Sequence, residues 1–114
     1  MNVREIIVKS LKPLGVPVEF LSYEGKDDTY IRFFFYNQRP AFSAEDEESV
    51  KGHYVQIDIF TKNGNEFSRL EKEVPSKLKA AGFTFRNQYD DYEHETEIYH
   101  KILRFFYAQN TEEE

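Results

Sequence analysis

Apolar side chains near the start of the chain recur at steps of three and four: Val3, Ile6, Ile7, Leu11 and Leu14 fall on one side, with Arg4, Glu5, Lys9 and Lys12 on the other. That period is the signature of an amphipathic helix. Asn2 stands where a side-chain oxygen can accept from the first free N–H groups. Pro13 disfavours helical geometry at Lys12, and Gly15 with Pro17 completes the stop. The spacing predicts a helix over residues 3–12.

From Val16 the period changes. Val18 and Phe20, then the aromatic run Tyr30 to Tyr36, read as two strands separated by the polar segment Glu24 to Asp28. Alternation in the second strand puts Ile31, Phe33 and Phe35 on one face and Tyr30, Arg32, Phe34 and Tyr36 on the other. Aromatic residues on both faces leave two readings open for the outer row. It is a partner surface, or its long side chains cover one another across neighbouring strands. Residues 37–52 show no sustained period and read as a long exposed loop, of the kind that is functional or disordered in a small domain. Its acids Glu45, Asp46, Glu47 and Glu48 repel one another, and Phe42 has no evident apolar neighbour.

His53 to Phe60 alternates well, with Val55, Ile57 and Ile59 inward and Tyr54, Gln56 and Asp58 outward. Asn63-Gly64 is read as a turn. A second helical stripe follows through Phe67, Leu70, Val74, Leu78 and Ala81, ended by Gly82. Pro75 lies inside it and predicts a kink or a restart. Residues 83–86 and 98–107 read as a last strand pair, joined by the acidic connection Asp90 to Glu97, which includes Asp91 and Glu93. The order α-β-β-β-α-β-β predicts an α+β domain with a mainly antiparallel sheet and both helices packed on one face. Residues 1–109 form a single domain, and 110–114 are expected to be an acidic, disordered tail.

Composition sharpens this picture. In 114 residues, 11 Phe and 8 Tyr supply apolar bulk for a folded core despite 32% charged residues. Cysteine is absent, which removes disulfide frameworks, thiolate nucleophiles and Cys-ligated zinc. With 21 acidic against 15 basic residues the net charge is -6, so counterion release gives nucleic acid no general hold. No apolar run approaches the length needed to cross a bilayer, and the N-terminus lacks a signal-peptide core, so no membrane partner is expected and synthesis is expected in the cytoplasm.

Catalysis would start from His53, His94 or His100, whose ordinary pKa lies closest to neutrality. None falls in a helical His/Glu metal pattern or beside a nucleophile motif. His100 with Asp58 or Glu97 could share one sheet face, but any sheet protein rich in acids offers such a pair. The acids around His94 lack the ligand spacing and central glycine of an EF-hand. The five glycines are isolated at turns and helix ends rather than gathered in a phosphate-binding loop. No catalytic residue, cofactor or metal is expected.

The order of segments carries a resemblance. The helix ending in Leu11 to Val18, the aromatic strand Thr29 to Asn37, the strand Gly52 to Phe60, the helix closing in Leu78 to Phe83, and Asp90 to Glu93 ahead of Ile98 to Phe105 together resemble a family of small proteins. These are the tail-completion, or tail-terminator, proteins of the head-to-tail joining modules of siphophages and prophages of Gram-positive bacteria. The likeness runs to about residue 107. Each motif is short, so its specificity lies in their order. Phe60 stands where related sequences often carry Trp, which keeps the apolar bulk.

The resemblance implies an α/β sandwich-like fold and a structural role without an active site. Such proteins form a ring, commonly of six subunits, that caps the tail tube, stops its growth and offers the docking face for the head connector or stopper. The implied partners are further copies of the chain, the tail tube protein and that connector. DNA passes through the lumen without specific binding, and the protein moves from the host cytoplasm into the virion. An acidic lumen would suit DNA passage. Head-to-tail contacts need two complementary patches on each monomer. Candidates for these are Tyr30, Phe34, Tyr36, Phe42, the acids Glu45 to Glu48, and Asp90, Asp91 and Glu93. The competing expectation is a small non-enzymatic prophage adaptor acting outside the virion.

Overall fold

The computed structural model describes residues 1–40 and 50–110. Helix α1 spans Val3–Leu11, shorter by one residue than its spacing predicts, and Lys12–Leu14 tighten into a 3-10 turn around Pro13. Asn2 caps the helix, its side-chain oxygen accepting from the Glu5 N–H at 2.9 Å. Gly15 then takes a left-handed conformation, φ 74°, which a side chain would disfavour.

Strands β1 (Val18–Phe20), β2 (Tyr30–Pro40) and β3 (Val50–Thr61) precede helix α2 (Gly64–Ala80), and β4 (Thr84–Glu93) and β5 (Ile98–Asn110) follow it. They form one five-stranded sheet in the order β1-β2-β3-β5-β4. Its pairs are antiparallel except for β1 and β2, which run parallel with Val18 opposite Ile31 and Phe20 opposite Phe33. The domain is therefore α+β, in the α-β-β-β-α-β-β order that the hydrophobic pattern predicts.

Both helices lie on one face. From α1 come Val3, Ile7 and Leu11, and from α2 Leu70, Val74 and Leu78, each set one turn apart and buried. They close on Ile31, Phe33, Val55, Ile57, Ile59, Leu103 and Phe105, all fully buried in the sheet. Each such side chain contributes about 1.5 to 3 kcal/mol on leaving water.

Four expectations about the elements are corrected. The loop predicted over 37–52 is shorter, because β2 continues to Pro40 and β3 begins at Val50. Phe42, Glu45, Asp46, Glu47 and Glu48 lie outside the described residues, as do residues 111–114. The acidic connection predicted over 90–97 is in its first half strand: Asp90, Asp91 and Glu93 belong to β4, paired with Lys101, His100 and Ile98. Only residues 94–97 turn the chain, closed by the Glu97 N–H donating to the Glu93 carbonyl at 2.8 Å. Asn63 and Gly64 open α2, with the Asn63 side chain accepting from the N–H groups of Asn65 and Glu66. That helix runs unbroken across Pro75, held on both sides of the proline by Leu70, Val74 and Leu78.

Candidate assembly surface

Among the described residues the sheet face away from α1 and α2 carries no helix, and sequence parity decides what stands on it. Register places Arg32 opposite Asp58 and Asp58 opposite Ile102, then Gln56 opposite Arg104 and Tyr54 opposite Phe106. One face thus gathers Tyr30, Arg32 and Phe34 from β2 with the outward residues of β3 and β5.

Asp58 is the centre of this face and has no exposed surface. Its Oδ2 accepts from Arg32 Nη2 at 2.9 Å and Nε at 3.3 Å, and its Oδ1 from Gln56 Nε2 at 3.0 Å and His100 Nε2 at 2.9 Å. Burial pushes the carboxyl up, but the hydrogen bonds from His100, Arg32 and Gln56 outweigh it and hold Asp58 below the usual carboxylate range. Gln56 passes the network on, its Oε1 accepting from Arg104 Nε at 3.1 Å.

The pair His100 and Asp58, singled out as a conceivable catalytic couple, is therefore brought together. Its geometry suits a structural tie: four donors already occupy the two carboxylate oxygens, leaving Asp58 little capacity to take a proton from a substrate. Glu97, the other conceivable partner, sits in the β4–β5 turn with φ 61°. His94 packs edge-on against Tyr92. Among the described residues no group of three His, Asp or Glu side chains is placed to hold a metal ion.

Around this network the aromatic rings form a layer. Tyr23, Tyr30, Phe60 and His100 stack in a row across the sheet, with successive centroids 4.3, 4.8 and 4.2 Å apart. Tyr23 is tied down through its hydroxyl, which donates to Asp27 Oδ2 and accepts from the Asp27 N–H, and its ring lies so close over Gly25 that a Cβ there would overlap it. A second run links Tyr36, Tyr54 and Phe106. Guanidinium groups lie over these rings: Arg86 on Tyr54, and Arg104 on Tyr36 and Tyr89.

Of the two readings of the outer aromatic row, mutual cover describes Tyr30, stacked between Tyr23 and Phe60, and Phe34 beside it is half-buried. Tyr36 keeps 44% of its surface and Tyr89 49%. Asp91 shares this face. Asp90 does not: it points to the helix side, where its Oδ1 accepts from Lys101 Nζ at 2.8 Å, while Glu71 of α2 accepts from the same group at 3.1 Å. Burial pulls the Lys101 ammonium down, and these two carboxylates more than restore it, so it lies above its usual range. Glu93, at the end of β4, accepts from the Thr96 hydroxyl.

The candidate interface residues that are described thus divide between two faces. The Arg32–Asp58–His100 and Gln56–Arg104 ties were not anticipated as a unit. Their signal is an acid and two arginines at the same parity of three strands that pair.

No family model matches the sequence, and no curated protein does. Among solved structures, the fold matches a chain of the structure titled "Virion of native gene transfer agent (GTA) particle", with a TM-score of 0.63 and 12% sequence identity. The match covers 93% of this chain and 92% of that one, so the two share the domain from end to end.

Proposed function

We propose that the protein is a structural component of a phage-like virion, and that within it a ring of subunits caps the tail tube and forms the head-to-tail joining interface. The observation that carries this reading is the end-to-end likeness to a chain of a gene transfer agent virion, which agrees with the resemblance of the sequence segments to tail-completion proteins. On this reading the partners are other copies of the chain, the tail tube protein and the head connector. DNA passes through the ring without a specific contact, and the chain has no catalytic task. It assembles in the host cytoplasm and leaves in the particle.

The physical chemistry supports such work. A net charge of -6 keeps the duplex from adhering. The saturated Asp58 network fixes β2, β3 and β5 to one another, as a load-carrying subunit requires. Electron microscopy of the purified protein, alone and mixed with tail tubes of its own prophage, tests the reading. Rings seated on tube ends are expected; bare tubes beside a monomeric protein would overturn it.

A further inference from the structure

The sheet has two free edges. β1 closes one and β4 the other, and neither has a strand beyond it among the described residues. Such edges are templates for pairing with another chain.

The two edges differ in chemistry. Beside β1, a groove of about 570 Å³ opens against α1, with Val8, Val18, Phe20 and Phe33 lining it. On its rim Arg4, Lys9 and Lys12 outnumber Glu5 and Glu19. Lys9 and Lys12 are exposed and form no ion pair among the described residues. β4 is the opposite: exposed along nearly all of its length and acidic at its far end. Its helix-side row, set by pairing with Leu103, Lys101 and Tyr99, is Gln88, Asp90 and Tyr92. Tyr92 is 37% exposed.

We propose that β4 of one copy pairs with β1 of the next, continuing the sheet across the subunit boundary and bringing Tyr92 into the neighbour's groove between α1 and β1. This rests on the ring reading above and names its contact surfaces. Direction supports it: β1 runs with β2, and β3, β5 and β4 alternate after it, so β4 is antiparallel to β1. Copies related by rotation about an axis along the strands keep that relation and pair in the antiparallel mode. Charge supports it as well, since Asp90, on the helix side of β4 and still 56% exposed beside Lys101, meets the side on which Lys9 and Lys12 lack a partner. The contact is heterologous, using a different edge on each side, which is what a closed ring needs.

The natural chain has no cysteine, so introduced thiols report without background. Glu19 and Asp91 are exposed and the register puts both on the open face, so a bridge between them lies at the rim of the groove and outside its apolar walls Val8, Val18, Phe20 and Phe33. The double variant Glu19→Cys/Asp91→Cys, treated with a short bismaleimide alone and on tail tubes, is expected to give a denaturing-gel ladder of three or more linked chains. Each single variant is expected to give none. Adding Tyr92→Ala is expected to cut the ladder about tenfold, the effect of losing one anchoring aromatic ring. Capped tubes without a ladder would overturn the seam and leave the tail-cap reading standing. A ladder with bare tubes would support the seam and remove the tail-cap reading, and absence of both would remove both. Dimers from either single variant would mean an edge meeting its own copy, which also overturns the proposal.

Discussion

Asp58 shows how a charged residue can occupy the centre of a sheet. A buried carboxylate is costly unless its lone pairs are filled, and here Arg32, Gln56 and His100 fill them. Asp58→Asn keeps the shape and removes the charge that all three donors address. The variant is expected to lose about 2 to 3 kcal/mol of stability in urea unfolding, moderated by the partial exposure of Arg32. The pH dependence follows from the direction of the shift. The folded carboxyl is held lower than in the unfolded chain, so the unfolded state binds the proton first. Its stabilisation is complete above the ordinary carboxylate range and is lost as pH falls through the folded value. The gap between wild type and Asp58→Asn should thus be constant near neutrality and shrink below about pH 4. A gap independent of pH down to the acid transition would show that the charge is not what stabilises.

At the scale of the element, α2 sets intrinsic preference against packing, and packing wins. Pro75 removes the bond its N–H would give to the Glu71 carbonyl and crowds the preceding turn, yet Val74 and Leu78 stay fully buried on either side of it. Pro75→Ala is expected to raise stability by about 1 to 2 kcal/mol in thermal unfolding. Asn63→Ala, which strips two accepted N–H bonds from the start of the same helix, is expected to cost about 1 kcal/mol. The same contest explains what could be read ahead of the structure. The stripes of α1 and α2 and the alternation of β3 were legible because one face of each is buried and the period follows from that. β4 was not legible beyond Arg86: as an edge strand with nearly every residue exposed, it has no buried row to impose a period, and Asp90 to Glu93 read as part of an acidic connection. Asp58 was legible as an outward residue. Its burial was not, because it depends on neighbours supplied by β2 and β5, 26 and 42 residues away.

For the whole molecule, the net charge of -6 is less informative than its distribution. Acids collect on β4 and its turn at one sheet edge, while Arg4, Lys9 and Lys12 border the groove at the other. Copies that carry like net charge repel at long range, so a head-to-tail contact must bring unlike patches together at short range. Lys9→Glu/Lys12→Glu places acids against acids at the proposed seam. Exposed pairs are individually worth about 0.2 to 1 kcal/mol, so reversing two of them should raise the concentration for half-maximal tube capping about tenfold. The monomer should unfold as before, because both lysines are exposed and unpaired in it. Asp90→Lys, at the helix-side acid of β4, should impair capping in the same way, and adding it to Lys9→Glu/Lys12→Glu should recover part of the loss. General repulsion would respond to the two charges regained wherever they lie, so recovery alone does not separate it from the seam. Ser68→Lys/Ser76→Lys, which regains the same two charges at exposed residues of α2, separates the two: added to Lys9→Glu/Lys12→Glu, it should leave capping impaired if the seam is where the charges meet.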